Sequence, residues 1–194
     1  MTVAGGAAGD PAGSAFASES PEATMAMGAA LGGCLEGGDV VALEGDLGAG
    51  KTVFVKGVAA GLGIDPDAVT SPTFTLVHAY GDAAARCRLF HLDLYRIGRP
   101  DAVEATGWDE IVGGRGVAVI EWADRAGPWL PPDRLDVRMA AAGETARRIL
   151  VVAHGDRSRQ RLGALRLAPP WASRRLPERP AGASPGSGDR EGHP

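Results

Sequence analysis

One segment of eight residues constrains the fold of this chain more than any other part of the sequence. It follows the pattern G-x-x-x-x-G-K-[ST], and it consists of Gly45, Asp46, Leu47, Gly48, Ala49, Gly50, Lys51 and Thr52. The apolar run 40–43 before it predicts a short buried strand, and residues 53–62 after it predict a helix. A loop between a strand and a helix is the setting in which this pattern binds phosphate groups.

The composition of the chain argues against an accidental match. The sequence contains 29 glycines but only two lysines, Lys51 and Lys56. At these residue frequencies, roughly 0.004 matches to all four fixed positions are expected by chance. The segment is therefore interpreted as a phosphate-binding loop (P-loop).

The P-loop predicts both a nucleotide and a metal ion. The N–H groups of such a loop turn inward around phosphate oxygens, and the following helix presents its positive end. Lys51 would neutralise the β- and γ-phosphates, and the Thr52 hydroxyl would bind Mg²⁺. We expect ATP, because the N-K-x-D segment that reads guanine needs an asparagine and the chain has none. Residues 124–127 resemble the D-x-x-G of GTPases, but a polar turn explains them equally well.

Two acidic residues are candidates for the carboxylate that P-loop hydrolases place near Mg²⁺ at the end of a buried strand. Glu121 follows the fully apolar run 117–120, and the alternative is a surface acid at a strand end. Asp93 is the competitor. Strand alternation places it on one face with His91 and Tyr95, where an ordinary outward-facing residue is the alternative.

The rest of the chain predicts a single α/β domain, a P-loop NTPase-type mixed sheet flanked by helices. The expected elements are a helix that begins at Pro21 and ends before Gly37, a helix over 101–112, and two antiparallel hairpins, at residues 74–80 with 86–94 and at residues 135–139 with 149–152. The ATPase domain is expected over residues 20–165. Residues 1–19, rich in Ala and Gly, and residues 166–194, rich in Pro, Arg and Gly, are expected to be disordered tails.

The distribution of charge argues against a large RNA-binding surface. Residues 1–156 carry 12 basic and 21 acidic side chains, whereas residues 157–194 carry 8 basic and 3 acidic side chains. Phosphate contacts require clustered Lys and Arg, so the acidic body is expected to bind little or no tRNA directly. No apolar run is long enough to cross a bilayer and no targeting segment is evident, so we expect no membrane contact and a cytoplasmic location.

Four blocks of sequence resemble the bacterial TsaE (YjeE) family, small ATPases of tRNA threonylcarbamoyladenosine (t6A) biosynthesis. The blocks are residues 45–52, 71–77, 91–96 and 120–122, and the likeness runs from about Pro21 to about Val152. Their order and spacing agree with the family throughout. The two terminal segments lie outside the resemblance.

This resemblance implies roles for individual residues. Lys51 and Thr52 would contact phosphates and Mg²⁺, Glu121 would be the second ligand on the Mg²⁺ side, and Asp93 would be a catalytic acid. Trp122 would adjoin the nucleotide, and Thr24 would help to hold it. Residues 71–75, which read by themselves are only a turn with three hydroxyl groups, would be a switch-like loop.

The resemblance also implies protein partners. Members of the family bind a TsaB–TsaD heterodimer, and their ATP hydrolysis permits repeated threonylcarbamoyl transfer by TsaD to the adenosine beside the tRNA anticodon. Two other functions remain open from the residues alone. A small-molecule kinase would share the P-loop but needs an acceptor pocket and usually an Arg-bearing lid, and a regulatory protein would bind ATP without hydrolysing it.

Overall fold

A seven-stranded sheet forms the centre of the structure, a computed structural model that describes residues 12–82 and 85–176. The strands are β1 (Ala12–Ser18), β2 (Val40–Glu44), β3 (Val77–Tyr80), β4 (Leu89–Asp93), β5 (Val117–Glu121), β6 (Leu135–Ala141) and β7 (Arg147–Ala153). They lie in the order β1-β7-β6-β2-β5-β4-β3. The neighbours β6, β2, β5 and β4 are parallel, and β1–β7, β7–β6 and β3–β4 are antiparallel. The predicted mixed sheet and both hairpins are confirmed.

Helices cover both faces of this sheet. Within the described residues the α-helices are α1 (Pro21–Cys34), α2 (Lys51–Gly61), α3 (Trp108–Val112), α4 (Asp156–Leu167) and α5 (Trp171–Arg174). α1 begins as predicted, because the Ser20 side chain accepts a hydrogen bond of 3.1 Å from the N–H of Ala23. The single helix predicted over 101–112 is wrong. A 3₁₀ helix and α3 replace it, divided at Gly107, which has a φ of 76°.

The central strand β2 contributes to two separate hydrophobic cores. Val41 and Leu43 face the core beneath α1 and α2, and Val40 and Ala42 face the core that contains Trp108 of α3. Because both faces are buried, the strand is a continuous apolar run rather than an alternating one. This burial holds the start of the P-loop in a fixed position.

Glycines allow α1 and α2 to approach each other closely. A Cβ atom at Gly28 would collide with the carbonyl oxygen of Phe54, and one at Gly57 would collide with that of Met25. The two helices can therefore pack backbone against backbone. This contact braces α2, the helix that follows the P-loop.

The prediction of disordered tails is wrong for both ends of the described chain. Residues 12–18, expected to be disordered, form β1, in which Phe16 is fully buried. Residues 171–174 form α5, and the fully buried Trp171 ring packs edge-on against Phe16 at 4.4 Å between centroids. The indole N–H also donates to the Met27 carbonyl at 2.8 Å. Two large aromatic rings that meet only in the folded protein outweigh the polar composition around them.

Residues 1–11 and 177–194, the outer parts of the predicted tails, lie outside the described residues. In the portion that is described, no helix has the length and apolar character needed to traverse a bilayer.

Candidate functional site

The carboxyl ends of β2, β4 and β5 meet at one edge of the sheet. In the parallel registers, Glu121 lies beside Leu43 on one side and beside Asp93 on the other. A cavity of about 390 Å³ opens here. Its walls are Leu47, Gly48, Ala49, Gly50, Lys51, Thr52, Val53, Ser71, Thr73, Asp93, Tyr95, Glu121 and Trp122. Four separate stretches of the chain therefore share one cavity.

The P-loop connects β2 to α2 and has a backbone that depends on glycine. Gly45, Gly48 and Gly50 have φ angles of 146°, 79° and 94°. A Cβ at Gly45 would collide with the carbonyl oxygen of Met139. Gly50 occupies the N-cap position of α2, and the helix begins at Lys51. A glycine-rich turn that leads into a helix N-terminus is typical of a phosphate-binding site.

Lys51 lies at the base of the cavity and is 5 % exposed. Its ammonium group donates to the carbonyl oxygens of Gly45 at 2.7 Å and Asp46 at 3.0 Å, both within the P-loop. Burial lowers the pKa of Lys51, and nearby carboxylates, first among them Glu121, act in the opposite direction. The predicted cation is thus held inside the loop whose bound phosphates it would neutralise.

Glu121 is buried, so the alternative interpretation of this residue as a surface acid at a strand end is wrong. Its Oε1 atom accepts a hydrogen bond of 3.1 Å from the Thr52 hydroxyl and lies 2.9 Å from Nε2 of His91. His91 is itself fully buried, and its Nδ1 has no hydrogen-bond partner within the described residues. These contacts leave the Thr52 hydroxyl and the Glu121 carboxylate adjacent, two oxygen groups of the kind that Mg²⁺ prefers.

Asp93 ends β4, beside Glu121 in the parallel register, and is 3 % exposed. The hydroxyls of Ser71 and Thr73 donate to its Oδ2 at 3.1 and 2.5 Å. The N–H of Tyr95 donates to its Oδ1 at 2.9 Å. Asp93 is therefore a buried and fixed carboxylate, not an ordinary outward-facing strand residue. It anchors the loop of residues 71–75.

Aromatic side chains form another wall. Trp122, which follows β5, has a φ of 56°, and this left-handed conformation turns the chain sharply after Glu121. Its ring centroid lies 5.1 Å from that of Tyr95, and the ammonium of Lys51 lies 4.1 Å from its centroid. A cation over an indole face is an attractive contact. Trp122 is thus placed beside the P-loop cation.

Most of the predicted site residues come together. Lys51, Thr52, Asp93, Glu121 and Trp122 line the cavity together with P-loop residues 47–50. Gly45 and Asp46 do not line it but hold the Lys51 ammonium through their carbonyl groups.

Thr24 is not among the residues that line this cavity. It is buried in the first turn of α1, where its hydroxyl bonds to the Ser20 carbonyl at 3.1 Å and to the Ser18 hydroxyl at 2.7 Å. Its role in holding the nucleotide stays a prediction.

Sequence reasoning missed two contributors to the site. Strand alternation predicts His91 only as one polar residue of a strand face, although it lies within the same motif as Asp93. Arg147, whose guanidinium contacts the P-loop carbonyls of Gly48 and Ala49, carries no local pattern. It is almost 100 residues away along the chain, so only the fold could bring it there.

The donor groups fit a Mg²⁺–nucleotide complex. The described residues contain no cluster of three or more His, Cys, Asp or Glu side chains arranged to hold a metal ion. A P-loop ion needs no such cluster, because Mg²⁺ keeps several waters and takes other ligands from substrate phosphates. Thr52 and Glu121 would hold the ion, and Lys51 and the loop backbone would hold the phosphates.

Comparison with known proteins gives one consistent result. Residues 18–149 match the family described as threonylcarbamoyl adenosine biosynthesis protein TsaE. A TsaE protein of Bacillus subtilis is 44% identical over 137 residues, which cover 71% of this chain and 84% of that protein. A TsaE protein of Treponema pallidum is 42% identical over 134 residues, covering 69% and 96%.

A solved structure shares the fold as well. The crystal structure of Bacillus subtilis YdiB superposes with a TM-score of 0.68 at 35% identity, covering 80% of this chain and 95% of that one. Residues 18–149, the region that matches the family, contain the P-loop, both buried carboxylates and Trp122. With its P-loop NTPase fold and this match over most of its length, the chain belongs to the TsaE family.

Proposed function

We propose that this protein hydrolyses ATP in support of t6A synthesis on tRNA and does so in complex with TsaB and TsaD. The observation that carries the proposal is the single cavity that gathers Lys51, Thr52, Glu121 and Asp93 at the end of the parallel strands. The names of the related proteins place them in threonylcarbamoyladenosine biosynthesis. Hydrolysis and the partners are inferred from the site and from the family resemblance.

Each residue of the site has a task in binding. The P-loop backbone would surround the phosphates, and Lys51 would exchange its carbonyl partners in the loop for phosphate oxygens. Thr52 and Glu121 would hold Mg²⁺, which when bound neutralises charge on the phosphates. Because the Thr52 hydroxyl already bonds to Glu121 at 3.1 Å, the two oxygen groups need little rearrangement.

Asp93 would act on the attacking water. Its carboxylate is fixed by Ser71, Thr73 and the Tyr95 N–H, so it cannot rotate freely. A fixed carboxylate facing the phosphate site can orient a water molecule for in-line attack. The hydroxyls of Ser71 and Thr73 would link the position of this carboxylate to the loop of residues 71–75.

A dependence on partners follows from the charges around the cavity. Lys51 is the only basic side chain among its lining residues in the described chain. Charge on the transferred phosphoryl group would then be incompletely neutralised until another protein completes the site. Leu47 and Phe74, each 82% exposed at or next to the cavity, offer apolar surface for such a contact.

Two arginines of the basic carboxyl-terminal segment form ion pairs within the protein. The guanidinium groups of Arg157 and Arg161 are 2.9 and 2.7 Å from the carboxylate of Asp39. With these two cations paired inside the protein, we expect tRNA contact to belong to the partners. A role in tRNA modification also fits the cytoplasmic location expected from the sequence.

The proposal is tested by measuring ATP hydrolysis with and without TsaB–TsaD. We expect slow turnover by the isolated protein, a marked increase with the heterodimer, and little response to free tRNA. Lys51→Ala should abolish binding of a non-hydrolysable ATP analogue in calorimetry, because it removes the cation inside the P-loop. Thr52→Ala should weaken only the Mg²⁺-dependent part of the affinity.

Two results would contradict the proposal. Unchanged affinity in Lys51→Ala would refute the P-loop assignment. Equal hydrolysis with and without TsaB–TsaD would refute the partner-dependent ATPase, and a phosphotransfer assay against metabolites would then test a kinase.

A further inference from the structure

The guanidinium of Arg147 joins the P-loop to the hairpin between β6 and β7. Its Nε donates to the carbonyl of Ala49 at 2.9 Å, and its Nη2 donates to that of Gly48 at 3.2 Å. On the hairpin side, Nη1 donates to the carbonyls of Ala146 at 2.8 Å and Glu144 at 3.2 Å. One side chain thus bonds to two P-loop carbonyls while anchored on a separate element.

The strand register explains why Arg147 reaches the loop and its neighbour does not. Arg147 is the first residue of β7, paired with Ser18 of β1 and Ala141 of β6. Its side chain lies on the same face of the sheet as that of Ile149, which is buried in the core beneath α1 and α2. Arg148 points to the opposite face and is exposed. The two arginines are therefore a matched pair in which only one contacts the P-loop.

The geometry of the peptide group links this contact to phosphate binding. In a trans peptide, the carbonyl of one residue and the N–H of the next point in opposite directions. Holding the Ala49 carbonyl on the Arg147 side therefore directs the Gly50 N–H toward the other side, where Gly50 lines the cavity. Holding the Gly48 carbonyl likewise fixes the Ala49 N–H, which donates to the Asp46 carbonyl at 3.1 Å and closes the turn of the loop.

The P-loop needs such an external support. Gly48 and Gly50 have positive φ angles, and glycine loses more conformational freedom on ordering than any other residue. If the loop becomes ordered only when ATP binds, the entropy lost on ordering weakens the binding of ATP. A planar guanidinium can hold several carbonyls at once, whereas a lysine ammonium is a point charge without that planar fork.

We propose that Arg147 is a positioning residue that keeps the P-loop ordered for phosphate binding from outside the nucleotide cavity. The proposal rests on the proposed binding of ATP and adds to it a residue that does not touch the nucleotide. Its effect is on the free energy of the loop in the nucleotide-free protein. Removing the guanidinium should therefore weaken the binding of ATP while the remaining site residues stay in place.

The experiment is calorimetric titration of four full-length proteins with a non-hydrolysable ATP analogue and Mg²⁺. Arg147→Ala should bind about tenfold more weakly than the wild type, the scale of a hydrogen bond to a charged group. Arg147→Lys keeps the charge and the aliphatic stem but should still bind several-fold more weakly. Arg148→Ala, the matched control, should bind like the wild type.

A rescue measurement separates positioning from a general loss of structure. Guanidinium ion at low, non-denaturing concentration should restore part of the affinity of Arg147→Ala and leave the other variants unchanged. If Arg147→Ala does not fold, Arg147→Lys still tests the positioning role, because it keeps the bulk of the side chain and removes only the planar guanidinium. Thermal unfolding of each protein without nucleotide verifies that the compared samples are folded.

The outcomes distinguish this inference from the proposed function. Wild-type affinity in folded Arg147→Ala or Arg147→Lys would overturn the role of Arg147 alone. Equal losses in Arg147→Ala and Arg148→Ala, without rescue, would also overturn it. A wild-type protein that does not bind the analogue would refute the proposed function itself, and the inference with it.

Discussion

The two ends of the parallel strands both bury carboxylates, but they balance the negative charge in different ways. At the amino end, Asp39 lies between two guanidinium groups, those of Arg157 and Arg161. At the carboxyl end, Glu121 contacts a hydroxyl and an imidazole, and Asp93 contacts two hydroxyls and a backbone N–H. Buried acids alone therefore do not identify the functional edge.

What distinguishes the two edges is whether guanidinium groups bond directly to the buried carboxylate, as they do at Asp39 and not at Glu121 or Asp93. An arginine pair satisfies a buried carboxylate within the folded protein and leaves nothing for a ligand. Hydroxyl groups satisfy its hydrogen bonds but leave its negative charge available to a metal ion. The amino edge is thus expected to contribute to stability and the carboxyl edge to chemistry, and this contrast can be tested.

The largest effect is expected for Glu121→Gln. The amide keeps the size of the side chain and can still accept from Thr52, but it removes the charge that would hold Mg²⁺. Turnover with TsaB–TsaD should fall about a thousandfold, which corresponds to about 4 kcal/mol of barrier, with the melting temperature nearly unchanged. Asp93→Asn should also lower turnover without unfolding the protein. Wild-type rates in either variant would show that its charge is not used.

Trp171→Ala provides a stability reference that lies outside both edges. The ring is fully buried against Phe16, and its N–H donates to the Met27 carbonyl, so its loss leaves a cavity and removes that hydrogen bond. Chemical denaturation should show a loss of about 3 kcal/mol in the free energy of unfolding. Leu167→Ala is the control, because that side chain is 82% exposed. Equal stability of the two variants would show that α5 contributes nothing to the fold.

Asp39→Asn tests the amino edge directly. It leaves Arg157 and Arg161 without their shared carboxylate, although Arg161 keeps a contact of 2.6 Å with Glu36. Because the side chain of Arg157 is 51% exposed, we expect a loss of only about 2 kcal/mol in the free energy of unfolding. The affinity for ATP should not change. A variant that lost turnover but not stability would break the contrast between the two edges.

The smallest effect concerns pH. Burial lowers the pKa of Lys51, so its neutral form is populated at a lower pH than that of an exposed lysine, whose pKa is about 10.4. Because phosphate binding needs the ammonium, ATP affinity should fall as the pH rises from about 8 to about 10, at a lower pH than for a site built on an exposed lysine. Calorimetry over this range would measure the change. Lys51→Arg, whose guanidinium stays protonated, should bind more weakly but without this pH dependence.

Most of the residues at the carboxyl edge can be predicted from the sequence. The P-loop could be read because phosphate binding needs glycines, Lys51 and Thr52 at fixed local spacing, between a strand and a helix. Glu121 could be proposed because an acid directly after a fully apolar strand must end at the same edge of a parallel sheet as the P-loop. These features depend on short stretches of chain, where residue type and local conformation are directly connected.

Other features were decided only by tertiary structure. Phe16 and Trp171 lie in segments whose composition resembles that of disordered tails, but β1 pairs with β7 and the two rings pack against each other in the core. Arg147 reaches the P-loop only because β7 lies beside β1 and β6 in one register. A contact between residues far apart in the chain has no local pattern, since its energy arises only when the sheet has assembled. Local sequence is therefore enough to identify the P-loop and the kind of ligand it suits, whereas the assembled sheet selects which distant residues support that loop and which buried acids have no guanidinium partner.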